Sequence, residues 1–360
     1  MLRAGFYPTP RRGAVSPVRA TFRTLAGVVG TALRRWPLLA AAAAAAVVGC
    51  GGSGGSGQAR TGGPAAVPKP QSFPEPAGRT LAQLRSGLGP GPRLATSVSV
   101  LQPGRNRVAY ALFDRARRQI VGAPTALYVA RADGHEVRGP YRARYHPLTV
   151  KPEFASSTSR RDPDSAKSIY VARPEFPRPG RYLILGVSEL DQRVVGAMPV
   201  SVAVRRDWPP PNVGDAAPRV HTPTRASTGG DLGSIDTRVP PDSMHDADLA
   251  DVLGRRPVML LFATPGLCPS RICAPVVDIA EQLKAAHAGD AAFIHMEIYN
   301  ENRPDAGERP QVRAYGLPSE PWLFAIDRSG HVAARIEGAF SLDELKDALR
   351  AATEGARPPK

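Results

Sequence analysis

The chain has 360 residues, enough for two ordinary domains with connecting segments. At 42% hydrophobic and 22% charged residues it is no uniformly disordered polymer, and globular cores are expected. Of the +15 formal charge about +7 sits in residues 1–49, which hold seven Arg and no Asp, Glu or Lys; 47 basic groups less those seven leave 40 against 32 acidic ones.

Residues 36–49 form an apolar run, WPLLAAAAAAAVVG, too short to span a bilayer comfortably but of signal h-region length. It ends in Val47-Val48-Gly49-Cys50, which resembles a lipobox. The small residues suit a narrow peptidase pocket, and the Cys50 thiol would accept a diacylglycerol. Residues 1–49 are thus expected to be a lipoprotein signal peptide, with the chain anchored by Cys50 to the extracytoplasmic face of the cell membrane. Export removes nucleic acid from the expected partners, and it allows disulfides to persist. Residues 50–84, opening on Gly51-Gly52-Ser53-Gly54-Gly55-Ser56-Gly57, read as a disordered tether.

From 85 to 206 short β-rich runs alternate with turn residues: Ser97–Val100, Arg107–Phe113, Thr125–Val129, Ser168–Ala172, Tyr182–Val187 and Pro199–Val204. No amphipathic helix is evident among them. This spacing predicts an all-β, Ig-like sandwich that would hold the next domain off the membrane or bind a partner. Residues 85–208 carry 21 basic and 10 acidic groups, and residues 233–352 carry 12 and 18. The imbalance reads as solvated surface, or as a basic domain facing an anionic membrane. Residues 207–234, with Trp208-Pro209-Pro210-Pro211, read as a Pro-rich linker.

The second domain is placed at 235–352, with a disordered tail at 353–360. Ser243 to Leu253 predicts a short helix capped by Ser243 and stopped by Gly254, with Asp242, Asp246, Asp248 and Asp251 as solvated carboxylates. Pro257–Ala263 is a continuous apolar run, as for a strand buried on both faces. A helix is expected from Pro269 to about His287, with Ile272, Val276, Ile279 and Leu283 on its inner face. Ala291–Tyr299 is a second strand. Pro321–Ile326 and His331–Ile336 form a hairpin, and Ser341-Leu342-Asp343-Glu344 is a capping box opening the last helix. The expected fold is multidomain: an N-terminal all-β sandwich followed by a C-terminal α/β domain.

The order β-α-β, β-β-α resembles the thioredoxin-like superfamily, and local motifs agree. Phe262 opens the loop that carries the family's active site, and Ala274-Pro275 matches the pair after its two cysteines. Tyr315-Gly316-Leu317-Pro318-Ser319-Glu320-Pro321 matches its Tyr-Gly-x-x-x-x-Pro segment ending in a cis-proline, and Gly338 fits the glycine closing the last hairpin. The chain departs from the family at the cysteines. Cys268 and Cys273 are separated by four residues, Ser270 stands where the second cysteine is usual, and the preceding Trp is absent. Residues five apart in a straight helix diverge by about 140° and lie about 8 Å apart, so a bond requires Cys268 outside the helix body.

The resemblance implies a thiol-disulfide oxidoreductase without cofactor or metal, acting on extracytoplasmic protein thiols together with a thiol redox partner. Cys268 would be the nucleophile at the helix N-cap, with a thiolate favoured by the helix terminus, and Cys273 the resolving thiol. Arg271 would add positive charge, Thr264 a hydrogen bond, and Pro321 backbone for a substrate chain. The alternatives are a non-catalytic binding module with a structural disulfide, and a peroxiredoxin-like peroxidase with Arg335 as partner for the peroxide. Copper handling would draw on His295 and His331. No phosphate loop, familiar zinc spacing or Ser-His-Asp arrangement is evident.

Overall fold

The computed structural model describes residues 73–354. The signal segment, Cys50, the glycine-rich stretch and residues 355–360 lie outside the described residues. The longer strands of the β region are β1 (Arg93–Thr96), β2 (Val108–Phe113), β3 (Thr125–Arg131), β4 (Arg138–Arg142), β5 (Arg144–Pro147), β6 (Ser168–Ala172), β7 (Gly180–Leu190), β8 (Arg193–Gly196) and β9 (Val200–Val204). One sheet runs β8-β7-β3-β4, with β9 also on β7; the other runs β1-β2-β6-β5. All these pairings are antiparallel.

The two sheets pack face to face through Leu94, Tyr110 and Leu112 on one side and Leu127, Val129, Tyr182 and Ile184 on the other. Strand alternation sends Ala126, Tyr128 and Ala130 to the opposite face of β3. That face is also dry, because Phe73 and helix α1 (Leu81–Ser86) cover it with Leu81 and Leu84. A Thr80–Gln83 capping box starts α1. Residues 73–84 therefore belong to the fold, correcting their assignment to a tether. Two further expectations fail here. Ser97–Val100 is irregular rather than a strand, since its polar groups face Glu337: Ser99 N and Oγ donate to Oε1 (2.7 and 2.6 Å) and Val100 N to Oε2 (2.9 Å). A helix, α2 (Ser157–Arg161), does interrupt the β region, capped by Ser156.

In the C-terminal region α3 (Leu249–Val252), β10 (Val258–Phe262), α4 (Cys273–His287), β11 (Ala292–Met296), α5 (Pro310–Ala314), β12 (Trp322–Ile326), β13 (Val332–Glu337) and α6 (Leu342–Glu354) follow in order. The sheet order is β11-β10-β12-β13, with β10 parallel to β11 and antiparallel to β12. Met259, Leu261 and Ala263 face α4 and α6, while Val258, Leu260 and Phe262 face Leu249, Tyr315 and Trp322. The predicted Ser341–Glu344 capping box is present, and α6 continues past 352 to Glu354.

The helix expected over 243–253 is only the single turn of α3, capped by Asp248 through Ala250 N. The chain ahead of it is held extended by buried polar contacts, described below. The 207–234 segment is more than a linker. Asp215 and Ala217 pair with Val332 and Gly330 along the free edge of β13, and Trp208 Nε1 donates to Leu101 O (2.8 Å).

The β and α/β regions share one continuous apolar core, which runs from Val108 and Tyr170 to Val276 and Leu349. Polar clasps border it. Arg107 bonds Glu344 through Nε (2.7 Å) and Nη2 (2.9 Å), and also donates to the carbonyls of Glu337 and Ala339. Gly338, at φ +74°, lies so close to Ser97 that a side chain would collide with the Ser97 carbonyl. The close approach of the two regions depends on that glycine.

Candidate active site: a disulfide between a half-exposed and a buried sulfur

Cys268 and Cys273 are disulfide-bonded, with Cα atoms 6.0 Å apart. The bond is possible because helix α4 begins at Cys273 and not, as expected, at Pro269. Residues 264–272 form a loop of turns: Leu267 N donates to Thr264 O and Arg271 N to Cys268 O. Arg271 adopts φ +57°, which reverses the chain before the helix. The helix N-terminus consequently lies at Cys273, its first residue, and not at Cys268. Cys273 is fully buried and Cys268 half-buried. Ser270 Oγ lies 3.1 Å from Cys268 Sγ. Cys268 lines a cleft of about 330 Å³ with Pro265, Leu267, Pro269, Thr158 and Ser165.

The other expected site residues sit close by, with different duties. Arg271 does not point its charge at the sulfurs. It bonds Asp162 (2.6 Å) and Asp164 (3.1 Å) of the β region, and its carbonyl accepts from Ala166 N. Thr264 is buried and donates to Glu297, not to Cys268. Glu297 in turn accepts from Thr237 N and Oγ1 (both 2.7 Å), and Thr237 Oγ1 accepts from Gly266 N (2.8 Å). This chain of bonds holds the loop from beneath. Pro321 follows a cis peptide bond, and its carbonyl accepts from Gly338 N (2.8 Å), so that oxygen is already paired within the fold.

Sequence reasoning missed Glu320, immediately before that proline. Its Oε2 lies 3.5 Å from Cys273 Sγ, and Glu320 joins the two sulfurs in one tight group. Burial, reinforced by the neighbouring Glu297 carboxylate, pushes the Glu320 carboxyl up to about 7. The signal was its place inside the Tyr-Gly-x-x-x-x-Pro segment: an acidic residue where the chain turns into a buried strand.

The histidines considered for copper are not at the sulfurs. His331 is exposed in the β12–β13 turn, bonded to Ser329, and His295 is buried among Asp236, Asp242 and His245. Arg335 is committed to the carbonyls of Pro210 and Pro211.

A strand, a loop bearing a cysteine pair, a helix, a parallel strand, and a cis-proline opening the next, antiparallel strand are now in place. The C-terminal α/β region thus has the element order that a thioredoxin-like domain would show. No protein-family model matches the chain, and no curated protein matches it in sequence. Among solved structures the chain is similar to a protein described as a thiol:disulfide interchange protein, DsbE, from Chlorobium tepidum, at 19% identity over 40% of this chain and 99% of that one, with a TM-score of 0.28. It is similar to the thioredoxin-like superfamily protein SPOA0173 at 19% identity over 31% and 89%, with a TM-score of 0.25. The Lin-41 filamin domain shares 12% identity over 33% and 99%, with a TM-score of 0.17. At these scores the likeness carries no argument, and the description of the region rests on its own strand order.

Proposed function

We propose that the protein is a lipid-anchored thiol-disulfide oxidoreductase that exchanges disulfides with extracytoplasmic proteins. The observation that carries this reading is the asymmetry of the cysteine pair: one sulfur opens to a cleft, while the other is buried beside a carboxyl that titrates near neutrality. In the reduced protein the Cys268 thiolate attacks a client disulfide. A sulfur–sulfur bond forms to the client, and the first client thiolate leaves. Glu320 accepts the Cys273 proton, and the Cys273 thiolate attacks Cys268 Sγ. The second client thiolate is released, and the Cys268–Cys273 bond is restored. The client gains two electrons that this protein loses, and an external dithiol must return them. Run backwards, the same steps oxidise a client. The β region, which we read as an Ig-like module, shapes the client cleft through Thr158 and Ser165 and fixes the loop through Asp162 and Asp164.

Glu320 gives this reading a pH signature. The carboxyl is a base only when ionised, so resolution of a mixed disulfide should accelerate as pH rises through about 7. Glu320→Gln should slow that step about 100-fold at pH 8 and flatten the profile. Stopped-flow resolution of a Cys268 mixed disulfide between pH 5 and 9 tests this, and an unchanged profile in the variant would count against the reading. Linkage gives a second sign. A carboxyl raised in the folded state stabilises fully below its ordinary value of 4.5, and that stability is lost as pH rises towards 7. The variant should lose this dependence too.

The anchoring is proposed from the Val47-Val48-Gly49-Cys50 segment. Among the described residues no helix is long and apolar enough to cross a membrane. Cys50→Ser should move the protein from the membrane fraction of its host to the soluble fraction. An undiminished membrane fraction would refute lipidation at this cysteine.

A further inference from the structure

Away from the disulfide, four metal-capable side chains converge in the interior. Asp236, Asp242 and His245 come from the extended chain before α3, and His295 from the middle of β11. Their exposures are 3%, 2%, 1% and 0%, and one donor atom from each lies within 4.8 Å of the others. His245 Nε2 is 3.4 Å from Asp236 Oδ2 and 3.5 Å from Asp242 Oδ1. His295 Nδ1 is 2.7 Å from Asp242 Oδ2 and 3.8 Å from Asp236 Oδ1.

An ordinary buried His–Asp pair does not account for this group. His295 and Asp242 would suffice for one, yet a second carboxylate and a second imidazole sit against them. Both ring nitrogens of His245 are buried without any hydrogen-bond partner among the described residues. A buried imidazole seldom stays unpaired. We propose that Asp236, Asp242, His245 and His295 form a structural site for one divalent transition metal ion, with zinc the best fit.

Three features support the assignment. Tetrahedral zinc with ligands at about 2.0–2.1 Å places neighbouring donor atoms about 3.3 Å apart, and the four separations bracket that spacing. Two carboxylates and two neutral imidazoles balance the charge of a dication, and a mixed N/O set suits zinc among the divalent ions. The outer contacts orient the ligands. His295 Nε2 lies 3.1 Å from Ala263 O, so with its proton held there the Nδ1 lone pair, now 2.7 Å from Asp242 Oδ2, would turn to the metal. Asp236 accepts from Arg238 N and Asp242 N (both 2.7 Å), and Asp242 Oδ1 accepts from Met244 N (2.8 Å). All four donors are enclosed, so the site has the closed character of a structural centre rather than the open position of a catalytic one. Its effect would be to fasten residues 236–245 to the edge of β11, where His295 N already donates to Met244 O (2.9 Å). That strap carries Thr237, which holds the active-site loop at Gly266.

The test uses the full chain, purified without reductant, stripped with chelator and dialysed against zinc sulfate. Elemental analysis should find about one zinc per chain, retained in Cys268→Ser/Cys273→Ser. His245→Gln should weaken binding by more than about 100-fold, beyond the 10- to 100-fold typical of outer-contact changes. Cobalt loading of the wild type gives a reading that needs no variant to fold: tetrahedral d–d bands without a sulfur-to-cobalt charge-transfer band are expected. A wild type that retains no zinc, a His245→Gln protein that retains as much as wild type, or a cobalt spectrum showing thiolate ligation would each overturn the site. The proposal does not depend on the redox reading, which would survive its failure.

Discussion

Asp278→Asn should destabilise the protein by about 3–5 kcal/mol, the loss expected when one partner of a buried ion pair is removed. Asp278 lies in α4 and bonds Arg238 Nε at 2.9 Å, with side-chain exposures of 1% and 4%. It also accepts from Ser156 N (3.0 Å) and Ser156 Oγ (3.1 Å). Arg238 donates further to Pro240 O and Phe154 O (both 2.7 Å). This one pair therefore ties together the β region, the strap before α3 and the helix that begins with Cys273. The neutral amide would leave the Arg238 guanidinium charged, buried and uncompensated. Urea unfolding should show the full loss in a single shared transition, because the two regions have a common core. A double replacement, Arg238→Met with Asp278→Leu, should recover most of it, since the ions and their desolvation cost are removed together. A single-variant loss below about 1 kcal/mol would mean that water reaches the pair.

The sequence announced some of this and hid the rest, for identifiable reasons. Apolar runs such as Pro257–Ala263 and Pro321–Ile326 are visible because strands covered on both faces need continuous hydrophobicity. The Ser341–Glu344 capping box is legible because it is local. The start of α4 is not. Pro269 suits a first helical position, but Arg271 turns the chain through a left-handed conformation and delays the helix to Cys273. The resemblance points Arg271 and Thr264 at the sulfurs, whereas their partners Asp162, Asp164 and Glu297 are remote in sequence.

The largest misreading concerns buried polar groups. Spacing places Asp242 with Asp246, Asp248 and Asp251 on a solvated helix face, yet it is 2% exposed and faces His295. Local composition cannot separate such residues from surface ones, because burial is set by what packs over them. Asp278 did carry a sign. It interrupts Val276-Val277-Asp278-Ile279-Ala280 and has apolar neighbours on either side, a context in which an acid needs a partner.

The most direct test of the redox account is trapping through single cysteine variants of the full chain. Cys273→Ser removes the resolving thiol and should accumulate mixed disulfides between Cys268 and extracytoplasmic proteins, seen by non-reducing electrophoresis and mapped by mass spectrometry. Cys268→Ser should accumulate none, because Cys273 is enclosed. Both variants should lose essentially all turnover of a disulfide substrate. If neither variant forms adducts and both merely melt at lower temperature than wild type, the Cys268–Cys273 bond is a structural staple and the catalytic account is wrong.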